Sequence, residues 1–350
     1  MDGDHQAGGA VSAGAGGGGG GFCHAALLAG SQEQYLAEVA GFVRAALDRG
    51  EPVLVAVPAF RAGPLRQRLG AGAGQVTWAD MDQVGRNPAR IIPALTAFIG
   101  DHAPAPVSCV GECAWPGRTE PELTEVIKQE ALANLAFRAM PVTALCPFDQ
   151  TRLPPGVLAM ARQAHPLLAG NGTWCPSPAY LGPDGMPQPC LQPLPDPPAG
   201  AEALHYQQDM APVRALTRRR ADRCGLSEDR AGNLTLAVSE LAANTLRHSP
   251  DGGTLHIWHT PAELVCQITD QGWIEDPLAG RRPPVSDQGG QGLWLVNEVC
   301  DLVQRRTGPS GTTIRLHMRL DPPQPPAPAG NSTQSRSRPP PADASTCHRL

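Results

Sequence analysis

Three polar residues spaced four apart, Glu240, Asn244 and His248, form one stripe on a helix predicted to begin at Glu228. A carboxylate and a carboxamide one helical turn apart can hold a hydrated Mg²⁺ and orient a hydroxyl group or a water molecule. A solvated surface stripe is the alternative interpretation. Asparagine is a poor helix former, however, so its place in the middle of the helix needs a reason. The stripe is therefore a candidate catalytic site.

A second candidate feature is Asp270, which directly follows a predicted strand and is followed two residues later by Gly272. An aspartate at a strand end can accept a hydrogen bond from an exocyclic amine such as that of adenine. The glycine allows the backbone to approach a ring closely because it has no side chain. A plain Asp-Gly turn is the alternative, so this pair gains weight only from the features around it.

Two further segments are rich in glycine or threonine. The first opens a predicted helix and consists of Gly289, Gly290, Gln291, Gly292 and Leu293. Glycines at a helix start leave backbone N–H groups free, and the helix dipole there favours phosphate. The second reads Gly-Thr-Thr-Ile at 311–314 and begins the last predicted strand. Each segment is weak evidence alone. The interpretation depends on the order in which all four features occur along the chain.

This order resembles the GHKL ATPase superfamily, which includes gyrase, Hsp90 and histidine kinases. Within it, the chain closely resembles the RsbW- and SpoIIAB-like anti-sigma-factor serine kinases, because Glu240 and Asn244 stand in the context Ser-Glu-Leu-Ala-Ala-Asn at 239–244. The resemblance covers residues 201–320. It implies a Bergerat-type ATP-binding domain with ATP and Mg²⁺ as cofactors.

Residue by residue, the resemblance implies Glu240 as the general base and Asn244 as the Mg²⁺ ligand. It places Asp270 on the adenine amino group and Gly272 beneath the adenine ring. The other residues that the resemblance implies at or near the nucleotide are His248, Gly289, Gly290, Gly292, Leu293 and Thr313.

Within that set, the resemblance puts Gly290 and Gly292 at the phosphates and Thr313 near the hydrogen bonds of Asp270. The chain departs from the family pattern at Ile274, where the second glycine of Asp-x-Gly-x-Gly is missing. The predicted lid, residues 275–288, is short and carries the arginine pair 281–282 as candidate phosphate contacts. Nucleotide binding is therefore a firmer expectation than phosphotransfer.

Several other classes of protein are disfavoured. The chain has one lysine, Lys128, which follows isoleucine, so neither a GxxxxGK phosphate loop nor a strand lysine of the eukaryotic kinase type is available. A net charge of -5 argues against direct nucleic-acid binding. The absence of a long apolar run and of a signal-peptide pattern predicts a cytoplasmic protein without a membrane span. The 10 cysteines are scattered, which predicts reduced thiols, with a thiol-based sensor as the alternative.

Composition divides the chain into five parts. We predict a disordered glycine-rich tail at 1–21, a proline-rich linker at 176–200 and a disordered tail rich in proline and serine at 321–350. Residues 22–175 alternate strands and helices, which predicts an α/β layered, RecA-like domain with a mostly parallel sheet. Residues 201–320 predict an α+β sandwich with helices on one face of a mixed, mostly antiparallel sheet. Its last strand is expected to point arginine and histidine outward.

The first domain resembles the MEDS domain, named for methanogen and methylotroph sensory proteins. Its characteristic segments include Arg-Asn-Pro-Ala-Arg at 86–90, Trp-Pro-Gly-Arg at 115–118 and Cys-Pro-Phe-Asp at 146–149. The resemblance implies a sensory, ligand-binding role. Candidate pocket residues are His24, Glu112, Trp115 and Glu130. The alternatives are that Trp115 only packs in the core and that Glu130 lies on a solvated helix face.

Together the two resemblances imply a sensory domain that regulates an ATP-dependent protein serine kinase. Such kinases transfer phosphate to a serine of an antagonist protein and separately bind a sigma factor. The expected partners are thus a sigma factor, an antagonist, ATP and an unidentified signal ligand, and a homodimer stays open. The alternative function is a non-catalytic anti-sigma or adaptor protein that binds ATP only to hold its shape.

Overall fold

The computed structural model describes residues 11–12, 21–282 and 291–320. Most of the predicted tails at 1–21 and 321–350 lies outside these residues, as do Gly289 and Gly290. Val11–Ser12, inside the predicted N-terminal tail, nevertheless form a short strand. Within the described ranges, no helix is both long and apolar enough to cross a membrane.

The N-terminal domain is an α/β domain. Its strands are β1 (Val11–Ser12), β2 (Cys23–Ala29), β3 (Val53–Val57), β4 (Thr77–Asp80), β5 (Val107–Gly111), β6 (Val142–Asp149), β7 (Leu167–Gly170) and β8 (Thr173–Pro176). Its helices are α1 (Gln32–Asp48), α2 (Ala59–Leu69), α3 (Met81–Val84), α4 (Ile91–His102), α5 (Glu120–Ala136), α6 (Pro155–Ala164) and α7 (Gln188–Leu191). The strands lie in the order β1-β8-β7-β2-β6-β5-β3-β4. The six strands from β7 to β4 pair in parallel, and β8 and β1 pair antiparallel at the edge.

This topology confirms the predicted mostly parallel sheet, and local sequence explains it. Strand β3 consists of five consecutive apolar residues, as expected where both faces of a strand are covered. Helix α1 begins after Ser31, whose side chain accepts a hydrogen bond from the backbone N–H of Gln34. Helices α1 and α2 contribute to the apolar core on one face of the sheet, and helices α5 and α6 to that on the other.

Helix α5 is buried along most of its length although it carries many polar residues. A capping box formed by Thr119 and Glu122 fixes its start. Glu130 is 5% exposed, so it does not lie on a solvated helix face, which was one of the two interpretations of the sequence. The opposite side of the helix, including Glu125 and Lys128, contacts the C-terminal domain. Helix α5 therefore packs in the N-terminal domain on one side and contacts the C-terminal domain on the other.

The described residues of the C-terminal domain form one sheet and three helices. Its elements are β9 (Glu202–Tyr206), α8 (Ala211–Arg223), α9 (Glu228–His248), β10 (Gly253–His259), β11 (Glu263–Asp270), α10 (Gln291–Val299), β12 (Leu302–Gly308) and β13 (Gly311–Arg319). The strand order is β12-β13-β11-β10-β9, and every neighbouring pair is antiparallel. The predicted α+β sandwich is confirmed. Strands β9 and β12 were not predicted, and they complete the sheet on its two edges.

The two faces of this sheet differ in what covers them. One face packs against α8, α9 and α10 through an apolar core. The opposite face carries Arg315 and His317, which the alternation in β13 correctly points away from that core. Both residues are buried, at 8% and 7% exposure, so the expectation of an outer face is wrong for them, whereas Arg319 on the same strand is exposed as predicted. The face is covered by α5 and by the segment predicted as a linker, because Arg306 donates a hydrogen bond to the carbonyl of Gln192, and Arg315 donates one to that of Pro195.

Candidate nucleotide-binding site

A cavity of about 610 Å³ lies in the C-terminal domain beside α9, the ends of β11 and β13, and the first turn of α10. Seven residues predicted from the sequence line it: Glu240, Asn244, His248, Asp270, Gly272, Gly292 and Leu293. They come from α9, from the end of β11 and the residues after it, and from α10, which are far apart in the chain. The fold therefore brings most of the described candidate residues to one place.

Asp270 ends strand β11, and two hydrogen bonds fix its carboxylate. One oxygen accepts from the Thr245 hydroxyl at 2.6 Å, and the other accepts from the backbone N–H of Gly272 at 2.8 Å. A carboxylate oxygen has more than one acceptor direction, so both oxygens can accept a further bond. A Cβ atom at position 272 would lie 3.0 Å from Asp270 Oδ1, which explains why glycine fits beside it.

A chain of hydroxyl groups attaches the segment after Asp270 to the sheet. The backbone N–H of Ile274 donates to Thr307 Oγ1 at 3.0 Å, Thr307 and Thr312 share a bond of 2.8 Å, and Thr312 donates to the carbonyl of Gly272 at 2.7 Å. We predicted that Thr313 would lie near Asp270. The structure places Thr312 there instead, because neighbouring side chains in a strand point to opposite faces and Thr313 lines a depression on the other face.

Glu240 and Asn244 lie against the first turn of α10. A Cβ atom on Gly292 would lie 3.0 Å from Glu240 Oε2 and 3.3 Å from Asn244 Nδ2, so only glycine allows this approach without a shift. Both side chains are half-buried, and Asn244 Oδ1 also accepts a hydrogen bond of 3.2 Å from Arg247. The first turn of α10 thus presents its backbone close to a carboxylate and a carboxamide. These two groups are suitable ligands for Mg²⁺ or its water shell.

Comparison with known proteins agrees with this geometry. A family model described as the methanogen/methylotroph, DcmR sensory domain (MEDS) matches residues 23–166, and one described as a histidine kinase-like ATPase domain matches residues 206–318. The serine-protein kinase RsbW of Halalkalibacterium halodurans is 30% identical over 112 residues, which cover 27% of this chain and 67% of that kinase. The chain belongs to the RsbW-like family of histidine kinase-like ATPases.

A solved structure is also similar to the chain. It contains the RsbU and RsbW domains of the Mycobacterium tuberculosis protein Rv1364c, with 18% sequence identity and a TM-score of 0.26. The match covers 59% of this chain and 50% of that one. The RsbW-like chain therefore spans half the length of that solved protein.

In the RsbW-like domain, the segment that follows Asp270 differs from the prediction. Arg281 is 3% exposed and its Nε donates to Gln129 on α5 at 3.1 Å, so it joins the two domains and does not face the cavity. Arg282 does line the cavity. Sequence reasoning missed Trp273, which also lines the cavity and is 55% exposed. Its place directly after Gly272 is the signal in the sequence that could have found it. Residues 283–290, which include part of the predicted lid, lie outside the described residues.

The four residues predicted for a sensory pocket in the MEDS domain fall into separate groups of contacts. His24 contacts Glu130 at 3.2 Å. The guanidinium carbon of Arg118 lies over the Trp115 ring, 3.6 Å from its centre. Glu112 has a third set of partners. These contacts therefore do not describe a single pocket formed by all four side chains.

Glu112 is fully buried between two partners. It accepts a hydrogen bond of 2.7 Å from the Tyr35 hydroxyl and one of 3.3 Å from Arg61 Nε. Burial raises the pKa of Glu112 to about 7, although the Arg61 guanidinium and the Tyr35 hydroxyl act in the opposite direction. The carboxyl group is therefore poised to titrate near neutral pH.

Proposed function

We propose that this chain is an ATP-dependent protein serine/threonine kinase and anti-sigma factor that acts in the partner-switching control of transcription. One observation carries the proposal. A single cavity brings together the fixed carboxylate of Asp270 and the pair Glu240 and Asn244 beside the first turn of α10. The RsbW-like sequence relationship supports the same assignment.

In this proposal Asp270 binds the adenine amino group. Its two oxygens are already oriented by Thr245 and Gly272, so the remaining acceptor directions are fixed before the nucleotide arrives. Preorganised acceptors cost little entropy on binding. The backbone of Gly272 lies beneath the ring, and the hydroxyl of Thr312 holds that backbone through its carbonyl.

The phosphates bind at the start of α10, a helix of nine residues whose first N–H groups have no partner within the helix. Gly289 and Gly290, which lie outside the described residues, directly precede this helix in the sequence and are proposed to bind the nucleotide. Bound Mg²⁺ supplies neutralisation of phosphate charge, and Asn244 is its proposed ligand. Glu240 accepts the proton of the attacking serine hydroxyl.

A second candidate function is a non-catalytic ATP-binding anti-sigma or adaptor protein. It is favoured by Ile274, which stands where the family has its second glycine and lines the cavity. An isoleucine side chain at this position fills space that a glycine leaves open. Nucleotide binding would then serve to hold the shape of the domain.

The experiment that tests nucleotide binding is calorimetry with ATP on the full chain, with and without Mg²⁺. We expect Asp270→Asn to weaken binding about 10- to 100-fold, because hydrogen bonds to a charged group contribute roughly 1.5–3 kcal/mol. Asp251→Asn changes an exposed aspartate before β10 and is the matched control. A folded wild-type chain that binds no ATP, or a variant at Asp270 that binds it equally well, would contradict the proposal.

The experiment that separates the two functions is a phosphotransfer assay with purified candidate antagonist proteins and radiolabelled ATP. A kinase labels a serine of the antagonist, whereas an adaptor binds its partner without labelling it. The proposal also includes a cytoplasmic location, a sigma factor as the second partner, a signal ligand of the MEDS domain and a homodimer. Co-purification and light scattering test these partners and the oligomeric state.

A further inference from the structure

Four side chains that can bind metals meet inside the N-terminal domain, on the opposite side of α5 from the ATPase domain. They are His24 on β2, Glu130 on α5, Cys146 on β6 and His165 directly after α6. Their ligand atoms all lie within 4.8 Å of one another, and none of the four residues is more than 5% exposed. None of them belongs to the nucleotide cavity.

The topology of the sheet explains how two of them meet. Strands β2 and β6 are parallel neighbours, and His24 pairs with Ala144 in their register. Cys146 is two positions further along β6, so it points to the same face of the sheet as His24. Glu130 on α5 and His165 at the end of α6 cover that face.

Four of the six distances between the ligand atoms are close to those of a tetrahedral coordination shell. His24 Nε2 lies 3.2 Å from Glu130 Oε2 and 3.3 Å from Cys146 Sγ. Glu130 Oε2 lies 3.4 Å from Cys146 Sγ and 3.6 Å from His165 Nε2. Zinc bonds of normal length in a tetrahedron separate neighbouring ligand atoms by about 3.3–3.6 Å.

Outer hydrogen bonds orient both imidazole rings for coordination. The amide nitrogen of Asn134 donates to the carbonyl of Ala164 at 2.7 Å, which turns the amide oxygen toward His24 Nδ1 at 3.0 Å. His165 Nδ1 lies 2.8 Å from the carbonyl of Ala161. Both acceptors require an N–H on Nδ1, so the Nε2 lone pairs of both rings point at Glu130. Metal-binding histidines are held in this way in known sites.

A buried group of this composition requires a cation. Two imidazole lone pairs and a carboxylate face one another, and this arrangement is repulsive unless a proton or a metal ion lies between them. Glu130 Oε1 and His165 Nε2 are both buried and have no hydrogen-bond partner among the described residues. A divalent ion offsets the charges of the Glu130 carboxylate and a Cys146 thiolate and leaves a neutral site.

We propose that His24, Glu130, Cys146 and His165 together bind one divalent transition-metal ion, and that this ion is zinc. Two imidazoles, one thiolate and one carboxylate form a mixed set of borderline ligands that suits zinc and excludes Mg²⁺ and Ca²⁺, which prefer oxygen. With four protein ligands the site is closed, so the ion cross-links β2, β6, α5 and the end of α6.

The test uses the untagged full chain, purified without chelators. Elemental analysis is expected to find one zinc ion per chain. After removal of zinc, addition of Co²⁺ is expected to produce thiolate charge-transfer absorption and the visible bands of tetrahedral cobalt. Cys146→Ser is expected to abolish the charge-transfer absorption, and His165→Gln to weaken Co²⁺ binding at least about tenfold.

Matched controls are present in the same domain. Cys109→Ser changes another buried thiol, on β5. His102→Gln changes a histidine whose Nδ1 also lies 2.8 Å from a helix carbonyl, that of Phe98. Both control variants should bind metal like the wild type.

X-ray absorption of the zinc-loaded wild type needs no variant and should show one sulfur and three nitrogen or oxygen ligands. A folded chain that binds neither zinc nor cobalt would overturn the proposal, and so would a zinc shell without sulfur. If the chain binds neither metal, a proton offsets the repulsion among the four side chains instead. Failure of ATP binding has no bearing on this result, since the two sites share no residue.

Discussion

Four carboxylates of the N-terminal domain and two of the C-terminal domain have opposite surroundings. In the N-terminal domain Glu112, Glu122, Glu125 and Glu130 are at most 5% exposed, and each has basic or hydrogen-bonding side chains beside it. In the C-terminal domain Glu240 and Asp270 are half-buried at the wall of a cavity. A buried, paired carboxylate matters for the stability of the fold, because removing its partner leaves an unpaired buried charge. A carboxylate at a cavity is available to a ligand.

The strongest test of this contrast is Glu240→Gln. If Glu240 is the general base, we expect phosphotransfer to fall by about 10²- to 10⁴-fold. ATP affinity and the free energy of unfolding should change little, because the side chain is half-buried and glutamine has the same shape. Asp229→Asn, an exposed carboxylate on the same helix, is the control and should leave the activity unchanged. A fully active Glu240→Gln variant that still labels the antagonist would assign the base to another residue.

The opposite result is expected for Arg306→Ala at the contact between the domains. Arg306 donates to Glu125 at 2.6 Å and to the carbonyl of Gln192 at 2.8 Å, and Glu125 is 1% exposed. Its loss leaves Glu125 with Lys128, 3.9 Å away, as its remaining ion-pair partner. We expect the free energy of unfolding to fall by roughly 2–4 kcal/mol, measured by urea denaturation.

The control for this variant is Arg218→Ala. Arg218 pairs with Asp222 and Glu228 on the surface, where ion pairs contribute little because water and salt screen them. An equal loss of stability in the two variants would show that burial of the Glu125 pair does not matter.

A third prediction concerns pH. Glu112 has a pKa raised by burial to about 7, compared with 4.5 for an exposed glutamate. Between these values the folded chain holds a proton that the unfolded chain releases. The free energy of unfolding contributed by this group therefore falls as the pH rises through that window, by roughly 1–3 kcal/mol.

This contribution should be absent from Glu112→Gln. Urea unfolding of wild type and variant at pH 5 and at pH 8 gives the difference in their free energies of unfolding at each pH. The change in that difference between the two pH values is the contribution of Glu112. Glu120→Gln, an exposed position at the start of α5, should follow the wild type at both pH values. A Glu112→Gln variant that loses stability with pH as steeply as the wild type would contradict the raised pKa.

Much of the fold could be predicted because its strongest patterns are local. The helix predicted to begin at Glu228 and the last strand, predicted to begin at Gly311, both begin there in the structure. Strands β9 and β12 were missed for different reasons. Strand β9 follows a proline-rich stretch and is short, and β12 carries two arginines that look like surface residues in the sequence. Arg306 is tolerated because it pairs with Glu125 of the N-terminal domain, and Arg305 because it donates to backbone carbonyls of residues 276–279. Periodicity within one strand cannot reveal either contact.

The candidate sites were predictable to the extent that each depends on one element. Glu240 and Asn244 follow from helical spacing, whereas the partner of His24 depends on how α5 crosses the sheet. Arg281 was expected at the phosphates, and its contact with Gln129 depends on the domain arrangement. His165 was not considered, since its helix and its place beside Glu130 come only from tertiary structure.

The smallest expected effect comes from comparing the two faces of the C-terminal sheet through two adjacent threonines. Thr312 and Thr313 have the same side chain and are adjacent in β13, but only Thr312 faces the nucleotide cavity. Thr312→Val removes the hydroxyl that holds the Gly272 carbonyl, and a neutral hydrogen bond contributes about 0.5–1.5 kcal/mol. We therefore expect ATP affinity to fall about 2- to 10-fold by calorimetry. Thr313→Val has the same change in shape and polarity on the opposite face and should bind ATP like the wild type. If both variants weaken ATP binding equally, the effect belongs to the strand as a whole and the cavity does not depend on the Thr312 hydroxyl.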